Sequence, residues 1–155
     1  MEQNTSFKQL PEKSSIDYRF ILKRNVFVGV ASGNLTYGDL LKHVIELMSD
    51  TKFRAGINGI YDFTQVNNVS GLHEQWDTVA SSMSSDAVIV KPAATAIICS
   101  SQYTQTISVM EEYLGMTKDS PINYAVFMEN QWPQAMAHVE LPGFTHLDEL
   151  VASVL

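Results

Sequence analysis

Asp62 closes the apolar run "GINGIYDF", and Ser70 follows eight positions later, just ahead of "GLHEQW" with His73. A carboxylate at the C-terminal end of a strand sits on the edge where open α/β sheets take their ligands. The same carboxylate can instead bond loop amides and shape a turn. The spacing places Ser70 at a helix start, where its oxygen would cap free backbone N–H groups. That geometry also welcomes a phosphate, so Ser70 has two readings, cap and phosphoacceptor. Asp62, Thr64, Ser70 and His73 are the candidate regulatory or interaction residues.

Other chemistry finds less support. His73 and Asp77 are four apart and would share a helix face, but two ligands do not complete a metal site. His43, His138 and His146 show no zinc spacing, so neither metal nor cofactor is expected. Cys99 lies in the apolar run "ATAIICS", a setting for a buried, reduced and inert thiol. A nucleophilic cysteine would need a base and an electropositive surround. With no glycine-rich phosphate loop, nucleophile elbow or paired carboxylates, the residues make no positive case for an enzyme.

The elements that must position these residues are legible along the chain. "IDYRFIL" and "VFVGVAS", split by "KRN", predict an antiparallel hairpin over Ile16–Leu22 and Val26–Ser32, with Arg24 and Asn25 near its turn. "LTYGDLLKHVIELMSD" then takes a helical period. Thr36 and Asp39 form a capping box, Leu40, Leu41, Val44, Ile45, Leu47 and Met48 an apolar stripe, and Lys42, His43 and Glu46 the wet face. "GINGIYDF" is the third strand. A helix from Ser70 aligns Leu72, Trp76, Val79, Ala80 and Met83, so Trp76 is expected in the core. "DAVIVKPAA" is ambiguous, and "TAIICS" is the fourth strand. Ser101 can cap a helix that Gly115 ends, "INYAVFM" is the fifth strand, and Pro133 suits the first turn of a helix towards Leu141. Trp132 beside it is expected to be partly exposed, and Thr145 with Asp148 offers a last capping box.

Strands alternating with helices predict an α/β fold: a mixed, mainly parallel five-stranded sheet in the order β-β-α-β-α-β-α-β-α plus a C-terminal helix, helices mainly on one face. The 155 residues suit one domain over 16–155, with residues 142–155 as a C-terminal helical extension. Polar residues 1–15, containing Pro11, predict a flexible extension. A net charge of −7 repels phosphate backbones and anionic headgroups, which argues against nucleic-acid and membrane partners. Neither a signal-peptide core nor a membrane-spanning apolar run is evident, so a cytoplasmic protein is expected.

With "LTYGDLLKHV", "SDTKFRAGINGIYDFTQV", "TAIICSSQY" and "YAVFMENQWPQAM" in this order, the chain resembles the SpoIIAA-like group, the fold of sulfate-transporter and anti-sigma-factor-antagonist (STAS) domains, and within it small uncharacterised bacterial members. The resemblance spans Ile16 to Leu141. It implies a serine at a helix N-terminus that a partner kinase phosphorylates, and "SGL" at Ser70–Leu72 is similar to that serine-glycine-leucine. The segment from Asp62 is shorter here, and Val69 stands where those proteins carry an acidic residue.

Two roles follow as expectations. One is a non-enzymatic protein-interaction or regulatory module, with a protein partner or self-association, contacting through an Asp62–Ser70 loop. The other is a carrier of a small apolar ligand in a pocket between sheet and helices, which seven methionines could line adaptably.

Overall fold

A computed structural model of the chain describes residues 15–71 and 92–154. β1 (Ser15–Ile21) and β2 (Val26–Thr36) form the expected hairpin around a short 3-10 turn at Leu22–Arg24. Asn25 closes that turn at φ 54°, a left-handed conformation its short polar side chain tolerates. α1 (Tyr37–Ser49) starts at the predicted capping box: Asp39 N donates to Thr36 Oγ1 at 3.2 Å and Thr36 N donates to Asp39 Oδ2 at 2.9 Å. The chain continues through β3 (Asn58–Ser70), β4 (Ala93–Cys99), α2 (Thr104–Met116), β5 (Ile122–Met128), α3 (Trp132–His138) and α4 (Leu147–Ala152). Of the helix expected from Ser70 to Met83, Ser70 instead ends β3; the remainder from Leu72, with Trp76, and the "DAVIV" stretch fall on residues 72–91, outside the described residues.

The five strands lie in chain order, β1 antiparallel to β2 and the other pairs parallel, so the sheet is mixed and mainly parallel. Both faces are packed. Phe27, Tyr61, Phe63 and Ile97 meet Leu47 of α1 and Met110 of α2 on one side. Val28, Ile60 and Ile98 meet Trp132, Met136, Leu147 and Leu150 on the other. The two long helices thus share one face, and the short C-terminal ones close the opposite face over a second core.

Several local expectations are corrected. Trp132 is buried, because the second core needs a large side chain at the start of α3. Ser101 does not cap α2; its N–H and hydroxyl donate to Glu129 past the end of β5, and the helix begins at Thr104 without a side-chain cap. Gly115 lies inside α2, which ends one residue later against Thr117. At α4 the cap is the His146 ring, which accepts from Asp148 N, while Thr145 donates to Glu149.

Two glycines set the packing under α1. Phe27 faces Gly59 across β2 and β3, and Gly29 faces Tyr61. Each ring lies over the partner strand's glycine, which brings the two rings to 5.5 Å in a T-shaped contact. A Cβ on Gly59 would collide with the Phe27 ring, and one on Gly29 would stand 2.6 Å from the Tyr61 ring. Phe27 is wholly enclosed and has nowhere to retreat. Gly59→Ala is therefore expected to destabilise by about 1–3 kcal/mol through overpacking. An unmoved urea midpoint in that variant would show that the ring does not occupy this place.

Candidate functional site

The loop expected between Asp62 and Ser70 is strand. β3 runs through both residues, and at about 3.3 Å per residue they stand roughly 26 Å apart along it. Its register slips once near Asp62. Val30 pairs with Asp62 and Ser32 with Gln65, so Phe63 and Thr64 oppose Ala31 alone, which is a β-bulge. Asp62 Oδ1 holds that bulge, accepting from Thr64 N at 3.0 Å and from Thr64 Oγ1 at 2.7 Å. Asp62 and Thr64 are thus brought together, as a backbone clamp. Ser70 is at the far end, exposed, and paired with Thr36, the N-cap of α1. The helix it was expected to start, and His73, lie outside the described residues.

Past the Phe63–Cys99 pair, β3 has no β4 neighbour, and side chains of α2 take up three of its backbone groups instead. The Gln105 side chain imitates a strand: Val69 N donates to its Oε1 at 2.9 Å, and its Nε2 donates to Val69 O at 2.7 Å. Thr106 Oγ1 donates to Val66 O at 3.1 Å. These three bonds, with Leu35, Val66 and Val69 buried beneath, hold the ends of β2 and β3 as a two-stranded arm. The arm's outer positions are uncharged and polar. Ser32 pairs with Gln65, Asn34 with Asn68 and Thr36 with Ser70, and all six are exposed.

The sequence placed His43 on the wet face of α1, but the structure buries it at 4% exposure. Leu40, His43, Val44 and Leu47 are the buried set of α1, spaced i, i+3, i+4 and i+7, so spacing was the signal that residue type concealed. Ile45, expected in the stripe, is exposed instead. His43 Nε2 and Tyr61 Oη share a 2.8 Å hydrogen bond whose direction follows the ring tautomer. Its Nδ1 is buried without a partner among the described residues. Burial drives the imidazole pKa down to about 4, so the ring is neutral at physiological pH. Tyr18 packs edge-on against it and donates its own hydroxyl to Asp50 Oδ2 at 3.2 Å.

Cys99 is fully enclosed, and burial, followed by the charges of Glu111 and Glu129, raises its thiol to about 12. A thiol held there is not a nucleophile at neutral pH. A cavity lined by Phe27, Phe53, Ile57, Thr95 and Ile122 has a volume of about 10 Å³, room for roughly one water and far below the hundreds of Å³ an apolar ligand fills. Among the described residues, no three His, Cys, Asp or Glu are grouped so as to hold a metal ion. None of the described helices is long and apolar enough to cross a membrane.

Neither a family model nor a curated protein matches the chain. Among solved structures it is similar to an uncharacterized protein from the DUF3478 family with a SpoIIAA-like fold, from Shewanella loihica PV-4. The identity is 16% and the TM-score 0.48, over 90% of this chain and 98% of that one. That likeness is one of chain path, and no residue role passes across it.

Proposed function

We propose that the protein is a non-enzymatic interaction module that contacts a partner protein through the β2–β3 arm. One observation carries this reading. The arm presents a continuous exposed band of amides and hydroxyls, from the Ser32–Gln65 pair to the Thr36–Ser70 pair, while its backbone edge is anchored from behind by Gln105 and Thr106. A held surface loses little conformational entropy when a partner docks on it. The reactive side chains nearby are engaged elsewhere: Asp62 in the bulge, His43 against Tyr61, Cys99 in the core. Ser70, exposed beside the start of α1, is where a regulatory phosphate would add about −1.5 to −2 charges to an otherwise uncharged band.

Charge placed on the band tests it. Asn34→Arg, Asn68→Arg and Ser70→Glu are expected to lose a partner that the wild-type protein captures from native lysate, with circular dichroism unchanged. Gln134→Arg, on the exposed side of α3, is expected to keep it. Identical partner sets for all four variants would remove the arm from consideration.

A further inference from the structure

The sheet has two edges, and they are built differently. β1 carries exposed Asp17 and Arg19, the charges with which natural edge strands discourage pairing. β5, "INYAVFM", has no charge and no proline. Ala93 pairs with Ile122 and its N–H donates to Pro121 O at 3.3 Å, so Asn123, Ala125 and Phe127 are the residues whose backbone groups answer β4. Tyr124 and Val126 turn theirs outward, and among the described residues nothing bonds them. The chain itself closes this edge at both ends. Ser120 Oγ accepts from Ile122 N at 3.0 Å, and Gln131 takes both groups of Met128, its Oε1 accepting from Met128 N and its N donating to Met128 O. The stretch left open between them is short, with room for one extended segment.

An open hollow of about 470 Å³ lies at the start of that stretch. Leu114, Ile122 and Tyr124 supply apolar lining, and Lys118, Ser120 and Asn123 supply polar lining. None of the described residues lining it is acidic and none comes from β4, so it opens on the outer side of β5. The Lys118 ammonium and the Asn123 side-chain amide have no partner among the described residues. The Ser120 hydroxyl accepts from Ile122 and keeps its proton to donate. The Thr117 hydroxyl donates to Tyr113 O at 3.0 Å, which blunts the negative end of α2 nearby. In a chain of net charge −7, a hollow with a free cation and no carboxylate selects an anion. We infer that β5 binds the extended C-terminal peptide of a partner protein, added antiparallel to this edge, with its terminal carboxylate at Lys118 and its last, apolar side chain against Leu114 and Ile122. Charge sets the direction. An antiparallel course brings the peptide's carboxylate to the start of β5, whereas a parallel one would bring an ammonium against Lys118. The peptide residues opposite Tyr124 and Val126 exchange both backbone bonds with them. Main-chain bonds then give affinity, and the hollow gives specificity for the last residue.

Amide NMR spectra of the isotope-labelled full chain read the site directly. The probe is an acetylated hexapeptide of alternating threonine and leucine, ending in leucine with a free carboxylate. Shifts are expected at the Tyr124 and Val126 amides, with their hydrogen exchange slowed. The same peptide closed by a C-terminal amide is expected to bind about tenfold more weakly, the loss of a charge-assisted bond. Exposed Lys118 tolerates change, so Lys118→Glu is expected to fold normally and to weaken binding, and Lys118→Arg to retain it. N-acetyl-leucine, which carries the carboxylate without a strand, is expected not to bind. Absence of peptide binding, equal binding of acid and amide, or shifts away from β5 would overturn the inference. Binding of N-acetyl-leucine as tight as the hexapeptide's would make the hollow a small-carboxylate site instead, and a dimer that excludes the peptide in sedimentation velocity would give the edge to a second copy. Either result also overturns it. The arm lies on other strands, so its own test stands or falls separately.

Discussion

Trp132→Ala is expected to lower the unfolding free energy by about 3–5 kcal/mol, a large part of a typical total of about 5–15. The indole is buried at the start of α3, amid Ala135, Met136, Leu147 and Leu150, with its ring 5.0 Å from that of His146. These side chains press on Val28, Ile60 and Ile98, so the ring fastens the C-terminal segment to the sheet. Truncation leaves a hole that two short helices cannot collapse to fill. Urea denaturation reads the loss as a lower midpoint at unchanged slope. A change below about 1 kcal/mol would mean that this face of the sheet is closed by something other than α3. Loss of a partner in this variant would reflect folding, and would carry no information about the arm.

Acid is expected to weaken the fold in a window set by His43. The buried imidazole has a folded-state pKa of about 4 against an ordinary 6.5, so the unfolded chain takes the proton first as pH falls. The contribution is complete above about 6.5, is lost progressively below it, and is gone near 4. At about 1.4 kcal/mol for each unit of pKa, the full loss is on the order of 3–4 kcal/mol. Glu129 and Glu149 are held below the usual 4.5 by hydrogen bonds from the Ser101 and Thr145 backbones, so their losses begin only near 4.5 and the upper part of the window belongs to His43. His43→Gln can keep a hydrogen bond to Tyr61 but cannot titrate. It is expected to flatten the stability profile between pH 6.5 and 4, measured by urea titration at each pH. Equal slopes for the two proteins would show that the ring is not desolvated.

Much of the architecture was legible because its signals are short in range. The Thr36–Asp39 box needs only residues three apart, and it forms as read. The alternating and apolar runs marked all five strands, and the apolar setting of Cys99 marked a buried thiol. The misreadings share a cause. Asn67 and Asn68 have weak strand propensity, yet β3 carries through them because β2 lies alongside and the Gln105 side chain substitutes for a missing strand. His43 is polar by type, yet Gly29 across the sheet leaves room for the Tyr61 ring, which then meets the imidazole from below. Ser101 looks like a cap, but Glu129 claims it from the end of β5.

Of the candidate site, the sequence alone supplied the residue types and the strand that carries Asp62 and Thr64. Order of elements, helix starts and the apolar faces also came from the chain, since propensity and periodicity act between residues a few positions apart. Tertiary structure decided that Asp62 and Ser70 are separate, that Asp62 clamps a bulge, and that an uncharged band runs between them on an anchored arm. Those outcomes depend on β-register and on side chains 28 to 40 positions away, such as Glu129 for Ser101 and Thr106 for Val66. Contacts of that span form only when the sheet closes, and no local pattern encodes them.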